Sequence, residues 1–284
     1  MKRIFCLALA LLMLVGSAFA FTSCKKEELL MGKSYTKLDA QSDVLLKLKA
    51  GNIDVGVMDS IMAGWYMSQE SDYSSTLMIV EGLDLTTEQY GIAARKGSGF
   101  IKKINESLIK LANAGVIDAL ATQYGIASEL CIDKTAKVEA MTADEKKDWD
   151  AIVANGKFIV GYTLFAPIAY KDETTQKLIG FDIQLAEAVA ADLGLAVEFK
   201  LIEWTAKESL LEGGSIDCIW NGMTITPERE EAMAISIPYL NNKQVAVIRQ
   251  ADKDKYTTVE SMKDAIMGAE AGSAGEACII KAAK

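Results

Sequence analysis

The sequence predicts an α/β protein whose strands pair largely in parallel. Short apolar runs, such as 53–58 and 158–162, alternate along the chain with longer segments of helical periodicity, such as 100–124. Half of the 284 residues are hydrophobic, which is enough for the buried core that such a fold requires. We therefore expect α/β layers, in one large or two medium domains.

The strands are predicted from apolar runs and from alternation. In 196–202 the apolar Val197, Phe199 and Leu201 alternate with Glu198 and Lys200, as on a half-buried strand. The predicted strands lie at 35–38, 53–58, 77–80, 158–162, 196–202, 216–220, 243–249 and 267–270.

The helices are predicted from apolar residues that recur every three or four positions and from capping residues. Ile101, Ile104 and Leu108 share one face of 100–124, which predicts one long helix or two. The other predicted helices run from Ser42 or Asp43 to Gly51, over 60–68, from 182 to 193, from 227 onward, near 259–266 and over 277–284, with a loop and a short helix in 127–147.

Charge and residue usage exclude several classes of function. Lys and Arg number 30 against 39 Asp and Glu, which disfavours binding to nucleic acid. His is absent, which excludes His-based catalytic triads and His-ligated metal sites. Cys131, Cys218 and Cys278 are far apart and odd in number, which predicts neither a metal site nor a disulfide framework, and Cys218 reads as a small core residue.

The first 24 residues read as a targeting segment. Lys2 and Arg3 precede the apolar run 4–14, which is short for a membrane span. Two cleavage positions stay open: after Ala20, or before Cys24, which would then carry lipid and anchor the protein outside the cytoplasm. We favour the lipidated Cys24, because a polar, charged segment begins there.

The stretch Asn221-Gly222-Met223-Thr224-Ile225-Thr226-Pro227-Glu228-Arg229 carries the strongest functional signal. It follows an apolar strand and opens a helix, with Thr226 as the N-cap and Pro227 as the first helical residue. Arg229 lies in the first turn, where the helix dipole disfavours a cation. Free N–H groups beside a guanidinium can bind a carboxylate, although a solvated arginine is the simpler interpretation.

Two other places carry a signal of this kind. Asp59 ends an apolar strand, where its carboxylate either caps the next helix or binds a cation. The turn Gly272-Ser273-Ala274-Gly275 opens a helix, so it is either a plain connection or a source of N–H groups for an anion.

The string Gly222-Met223-Thr224-Ile225-Thr226 with Glu228-Arg229 resembles the "G-M-T-I-T-x-E-R" signature of extracytoplasmic solute-binding proteins for polar amino acids, of the family 3 type. The resemblance implies a two-lobed, type II periplasmic-binding-protein-like fold, each lobe a mostly parallel sheet flanked by helices. It implies capture of a free amino acid between the lobes and delivery to the permease of an ABC importer.

The resemblance also implies roles for individual residues in binding the amino acid. The ligand α-carboxylate is expected on Arg229 and on the N–H groups of the turn at Ser273 and Ala274, and Gly222 and Thr224 are expected to add a carbonyl and an N–H or hydroxyl. The ammonium is expected on Asp59, the side chain between Phe165 and Trp204, and Met223 along the side-chain pocket.

The resemblance covers nearly all of the chain after residue 34, but in a rearranged order. The second part of the family pattern comes first, which suggests a circular permutation, and a fusion of two partial modules is the alternative. The predicted map is a leader at 1–24, a linker at 25–33, lobe two at 34–85 plus 243–284, a hinge at 86–90 and 239–242, and lobe one at 91–238.

Relatives that bind basic ligands often have an Asp in the run equivalent to Tyr162-Thr163-Leu164-Phe165, which here has no acid. We therefore expect a neutral or polar amino acid as ligand, a monomer, and neither cofactor, metal nor catalytic residue. The alternatives are a ligand-sensing module and a dehydratase-like enzyme on the same fold, for which Glu173 and Glu203 are the candidate acids.

Overall fold

The structure is a computed structural model that describes residues 28–69 and 71–281. The predicted leader, Cys24 and the first residues of the predicted linker lie outside the described residues. Among the helices of residues 28–69 and 71–281, none combines the length and the apolar character that a bilayer crossing requires.

The described strands and helices alternate, as the sequence predicts. The strands are β1 (Glu28–Leu29), β2 (Ser34–Leu38), β3 (Val55–Asp59), β4 (Leu77–Arg95), β5 (Lys157–Tyr162), β6 (Tyr170–Lys171), β7 (Leu178–Ile179), β8 (Ala196–Leu201), β9 (Cys218–Thr224), β10 (Met233–Ile235), β11 (Leu240–Arg249), β12 (Ile266–Glu270) and β13 (Ile280–Lys281). The helices are α1 (Gln41–Lys49), α2 (Ser60–Gln69), α3 (Ser71–Thr76), α4 (Phe100–Asn113), α5 (Val116–Gln123), α6 (Ala143–Asn155), α7 (Phe181–Leu193), α8 (Lys207–Glu212), α9 (Pro227–Ala232) and α10 (Ala274–Ile279).

The largest sheet of the described residues has nine strands, in the order β2-β12-β3-β11-β4-β9-β5-β8, with β10 also paired to β4. The strands β2, β12 and β3 at one side pair in parallel, and so do β9, β5 and β8 at the other. Between them, β11 and β4 pair antiparallel with each other and with their outer neighbours. The predicted α/β class is confirmed, with two parallel parts of one sheet flanked by helices.

The two long central strands connect the parallel parts. Strand β4 has 19 residues, and Tyr90 lies opposite Leu240 while Leu77 lies opposite Arg249. The predicted hinge segments 86–90 and 239–242 lie on this antiparallel pair. The division into lobes and hinge stays a prediction.

Strands from both ends of the described chain meet in the sheet and beside it. Strand β12 lies between β2 and β3, and in a separate two-stranded sheet Glu28 lies opposite Lys281. The permuted order that the resemblance suggests is not tested by this pairing and stays a prediction.

The core explains why these segments are helical. The predicted apolar face of α4 is buried, with Ile104 and Leu108 fully inaccessible, and Phe100 at its start stacks on Trp149 and contacts Phe158 at ring-centroid distances of 6.1 and 4.9 Å. Removing such side chains from water supplies the main free energy of folding, at about 25 cal/mol per Å² of apolar surface.

The N-terminal part of the chain differs from the predicted elements in two places. Helix α1 begins after Ala40, which makes no side-chain cap, so the predicted caps Ser42 and Asp43 lie inside the helix. The segment predicted as a loop and a short helix ends in the 13-residue α6, because Thr142 and Glu145 form a capping box at its start.

The C-terminal part differs as well. The strand predicted to end at Trp220 continues through Asn221 to Thr224, so the first half of the motif is strand. The helix expected near 259–266 is only the 3-10 turn Glu260–Met262. The final predicted helix ends at Ile279, and β13 follows because its backbone pairs with β1.

Candidate functional site

A narrow cavity lies where several strands of the large sheet end. Asp59 and Glu270 are the last residues of β3 and β12, and Thr224 is the last residue of β9. The carboxyl ends of the two parallel parts thus point towards each other at the cavity, and α/β sheets bind their ligands at such strand ends. The centre of a water-sized sphere can occupy about 20 Å³ of this cavity, which corresponds to room for roughly one water molecule. The cavity-lining residues are Gln41, Asp59, Thr163, Leu164, Phe165, Trp204, Asn221, Gly222, Thr224, Arg229, Glu270, Ser273 and Ala274.

Arg229 reaches the cavity from the first turn of α9. Thr226 caps this helix by accepting a hydrogen bond from the Arg229 N–H at 3.3 Å. The guanidinium donates from Nη1 to the Thr224 carbonyl at 2.7 Å and from Nη2 to the Gly272 carbonyl at 3.4 Å. Burial lowers the pKa of Arg229, and nearby acids oppose this effect. A cation thus faces the cavity with neutral carbonyls as its hydrogen-bond partners.

Asp59 lies across the cavity, with 4% of its surface exposed, and four side chains donate to its carboxylate. Tyr90 donates to Oδ1 at 2.7 Å and Gln244 at 3.0 Å, Asn242 donates to the same oxygen, and Gln41 donates to Oδ2. An ionised carboxylate has about four acceptor positions, two on each oxygen, so Oδ1 is fully occupied and Oδ2 keeps one position besides Gln41.

The surroundings of Asp59 also affect its protonation. Burial raises the pKa of the Asp59 carboxyl, and the nearby carboxylate of Glu88 raises it further. Glu88 belongs to the same network, because Asn242 and Gln244 donate to its Oε1 at 2.6 and 2.8 Å. Asp59 is therefore an acid held by protein donors on the central strands.

Gly222 shapes the wall of the cavity. Its φ of +58° is in the left-handed region, and a Cβ there would lie 2.7 Å from Cε1 of Phe165, which only glycine avoids. The Gly222 N–H donates to Asp182 at 2.8 Å, and the Tyr239 hydroxyl donates to the same oxygen at 2.8 Å. Burial raises the pKa of Asp182 to about 7.

Two aromatic side chains flank the cavity, as the resemblance implies. Phe165 is buried and meets Tyr90 edge to face, with centroids 6.4 Å apart. Trp204 is 7% exposed, and the Lys207 ammonium lies 4.6 Å from its ring centroid. Burial lowers the pKa of Lys207 to about 8, and Arg229 contributes to this lowering.

The turn before α10 completes the opposite wall. Ser273 caps the helix by accepting from the Glu276 N–H at 3.1 Å, and the Gly272 N–H donates to Glu276 at 2.7 Å. The Ser273 hydroxyl and the Gly272 N–H are thus engaged within the turn itself.

Eight of the nine predicted ligand-binding residues line this one cavity; they are Asp59, Phe165, Trp204, Gly222, Thr224, Arg229, Ser273 and Ala274. Met223 is not among the cavity-lining residues. It is fully buried in an apolar cluster with Leu211 and Ile219. The binding roles of all nine residues stay predictions.

Several polar residues of the site are not among those predicted from the sequence. Glu270 ends an apolar strand just as Asp59 does, so the same signal was available for it. Asn242 and Gln244 alternate with exposed residues on β11, and polar residues at buried positions of a strand are a usable signal. Gln41 carries no such signal, because its place follows from the pairing of β2 with β12.

Within the part of the chain that the structure describes, no cluster of three His, Cys, Asp or Glu side chains could hold a metal ion. The candidate acids Glu173 and Glu203 are not among the cavity-lining residues.

Comparisons with known proteins identify the family of the central region. Residues 158–271 match the bacterial extracellular solute-binding proteins, family 3. A probable ABC transporter extracellular-binding protein of Bacillus subtilis is 31% identical over 147 residues, which is 50% of each chain. The L-cystine-binding protein of Bacillus subtilis is 31% identical over 115 residues, 39% of this chain and 42% of that protein.

Among solved structures, an ancestral amino-acid-binding protein that is a precursor of cyclohexadienyl dehydratase has 40% identity over 29% of this chain and 36% of that chain, at a TM-score of 0.28. These matches span half or less of each relative's length. The matched region contains the cavity-lining residues from Thr163 to Glu270. Residues 158–271 of this chain are therefore similar to the bacterial extracellular solute-binding proteins of family 3.

Proposed function

We propose that this protein captures a free amino acid between its two lobes, outside the cytoplasm, and delivers it to the permease of an ABC importer. The observation that carries the proposal is that Arg229 and Asp59, which lie far apart in the sequence, line the same narrow cavity. An amino acid has one anionic and one cationic group, and burying both requires a paired partner for each.

The carboxylate end is assigned to Arg229. Its Nη1 and Nη2 donate to backbone carbonyls in this structure, and an incoming carboxylate is a stronger acceptor because its hydrogen bonds to the guanidinium are charge-assisted. The Gly272 carbonyl lies just beyond β12, so the hydrogen bond from Arg229 joins the two sides of the cavity. Ligand binding therefore replaces the hydrogen bond from Arg229 to the Gly272 carbonyl with a bidentate ion pair between Arg229 and the ligand carboxylate.

The ammonium end is assigned to Asp59, as the resemblance implies. Three of its four protein donors share Oδ1 and only Gln41 donates to Oδ2, so Oδ2 is the oxygen that we assign to the ligand ammonium. Gln41 lines the cavity, whereas the other three donors belong to the central strands, so the ammonium is expected beside Gln41 or in its place.

Capture requires a hinge motion. Because the cavity has room for roughly one water, its walls must separate before an amino acid can enter. We assign the hinge to 86–90 and 239–242 on the paired strands β4 and β11, with lobe one at 91–238 and lobe two at 34–85 plus 243–284. Small-angle X-ray scattering should then show a smaller radius of gyration with the ligand than without it.

The permuted segment order belongs to the same proposal. The pairing of Glu28 with Lys281 brings the two ends of the described chain side by side. A gene that places 158–281 before 28–157 should therefore give a protein that folds and binds the same ligand. If only the natural order folds, the fusion of two partial modules is favoured.

The binding role is proposed over the alternatives, a sensing module and a dehydratase-like enzyme. A family 3 binding protein releases its ligand chemically unchanged, whereas an enzyme would convert it with the help of a general acid. Ligand recovered after prolonged incubation and analysed by mass spectrometry decides between them, and any converted product would contradict the binding role.

We place the mature protein outside the cytoplasm, in the periplasm or at the cell surface, held at the membrane by lipid on Cys24, as a monomer that meets its permease there. Mass spectrometry of the protein from membranes should detect a diacylated N-terminal cysteine. A mature N-terminus directly after Ala20 would exclude the anchor.

The ligand class is proposed as neutral or polar, because Thr163 and Leu164 place no acid at the cavity wall where basic-ligand relatives often have one. Isothermal titration calorimetry of the protein without residues 1–24 against the twenty amino acids tests both the function and the class. At least one amino acid should bind with a dissociation constant in the micromolar range or below.

The decisive variant is Arg229→Ala, which should weaken that binding at least about 100-fold, because the ligand carboxylate would lose its charged partner. Lys110→Ala is the matched control, since it removes an exposed cation that pairs with Asp192 and does not line the cavity. Unchanged affinity of the Arg229 variant would refute the carboxylate assignment.

A further inference from the structure

We infer that the carboxyl group of Glu270 binds the side chain of the ligand, and that the preferred amino acid carries a nitrogen donor on that side chain. This inference rests on the proposed function and names the substrate class of the same cavity.

Glu270 is a buried acid without a partner. It ends β12, has 4% of its surface exposed and lines the cavity. Within residues 28–69 and 71–281, its carboxyl group accepts no hydrogen bond and lies in no ion pair. A carboxyl group buried in this way is costly unless a donor meets it, so the missing donor is expected from the ligand.

Asp59 is a second buried acid in the same cavity wall. It ends the neighbouring strand β3 and receives four protein donors. Glu270, one strand away, receives none from the described residues, although Gln41, one of the donors to Asp59, lines the same cavity. Of the two acids, Glu270 is therefore the one whose carboxyl group depends on a ligand for a hydrogen-bond donor.

A second acceptor in the cavity is free as well. Asn221 uses Nδ2 to donate to the Thr163 hydroxyl at 2.7 Å, and its buried Oδ1 has no partner among the described residues. If Arg229 and Asp59 bind the two charged groups of the ligand backbone, both free acceptors remain for the side chain. A side chain that ends in N–H groups supplies what they lack, whereas an aliphatic or thioether side chain does not.

Two chemical sources fit this requirement: a neutral carboxamide and a cationic ammonium. Burial raises the pKa of Glu270 to about 8, and the groups that act on it are Asp59 on β3, Asp43 on α1, Glu203 before α8 and the opposing Lys207 on α8. A protonated carboxyl can both donate to and accept from a carboxamide, while an ammonium requires the ionised form.

The pH dependence of binding separates these sources. An ammonium ligand must displace the proton of Glu270, so its affinity should increase as the pH rises towards about 8. A carboxamide ligand should bind equally well below that pH and more weakly above it.

The test is calorimetry with glutamine and ornithine as nitrogen donors and with methionine and norvaline as unbranched side chains without one. We expect at least one nitrogen donor to bind at least about tenfold more tightly than both of the others, because a site built for a donor rejects ligands that lack it. Ornithine as the better ligand would also overturn the expectation of a neutral ligand.

Glu270→Leu should abolish this preference, leaving all four affinities within about threefold of each other. Glu270→Gln keeps the shape and removes the charge, and it should lower ornithine affinity at least about tenfold even if the Leu variant does not fold. Asp43→Asn is the matched control: it removes an acid that acts on Glu270 without lining the cavity, and it should retain the preference.

Equal binding of all four amino acids by the natural protein would overturn the inference, and so would an unchanged preference in both Glu270 variants. If amino acids bind and Arg229→Ala abolishes binding while no nitrogen donor is preferred, only the inference fails. If no amino acid binds at all, the proposed function fails together with it.

Discussion

The substitution Gly222→Ala tests whether the cavity wall is as closely packed as the structure indicates. The φ of Gly222 is +58°, and the new Cβ would lie 2.7 Å from Cε1 of Phe165 and 3.0 Å from Cε2 of Tyr90. Both rings are buried, with 4% and 0% of their surface exposed, so neither can move into solvent.

Two costs add in this variant. The left-handed backbone costs an alanine about 1 kcal/mol relative to glycine. Inserting a methyl group into a packed site costs about 1–3 kcal/mol. We therefore expect the free energy of unfolding to fall by about 2–4 kcal/mol in urea titrations, with an unchanged m-value.

Gly214→Ala is the matched control, because Gly214 has a φ of +70° and nothing within 4 Å of its added Cβ. That variant carries only the backbone cost, so it should lose about 1 kcal/mol. The difference between the two variants isolates the steric term. Equal losses would refute the close packing of Gly222 against Phe165 and Tyr90.

Three more outcomes are expected from unfolding measurements without ligand. Glu270→Leu should raise the free energy of unfolding by about 1–3 kcal/mol, because an unpartnered buried carboxyl is removed; a less stable variant would contradict this. Burial raises the folded pKa of Asp182 from 3.8 to about 7, so its stabilisation is full below the lower value and is lost as the pH rises through the higher one. Asp182→Asn should therefore flatten the decline in stability between about pH 4 and pH 7, by on the order of 1–4 kcal/mol, and a parallel decline would contradict the assignment. Thr226→Ala should lower the melting temperature through the loss of about 1 kcal/mol of capping free energy, whereas an unchanged value would show that the cap of α9 contributes nothing.

Local patterns in the sequence predicted the elements that local physics decides. The apolar face of α4 and the alternation of β8 gave the right element types, and Thr226 with Pro227 gave the start of α9 within one residue. Such signals act within a few residues of the chain, so they are readable without any tertiary information.

The misses come from long-range pairing. Strand β13 replaces the end of a predicted helix because its two residues pair with β1 at the other end of the described chain. Strand β4 extends from Leu77 to Arg95, far beyond the predicted strand 77–80, because β11 pairs with it along most of its length. Neither partner is visible in a local window, and tertiary pairing overrides local propensity.

In the candidate site too, local signals predicted some residues, whereas others are brought in only by the folded sheet. Asp59 and Arg229 were found because each sits where its charge is locally unexpected. Met223 does not line the cavity because its side chain packs in an apolar cluster with Leu211 and Ile219, and its binding role stays a prediction. The donors around Asp59 were missed because they come from α1, β4 and β11, which meet only in the folded sheet.

The arrangement of acids at the strand ends connects stability with recognition. Asp59 and Glu270 end neighbouring strands in the same cavity wall, and both have raised pKa values because burial opposes their ionisation. The protein offsets this cost for Asp59 with four donors and leaves it in place for Glu270. A fold selected for stability alone would gain from an apolar residue at that position. A buried acid at this position is therefore best explained by a hydrogen-bond donor on the ligand. Binding of that donor offsets the cost of burying the carboxyl group, which the unliganded protein bears.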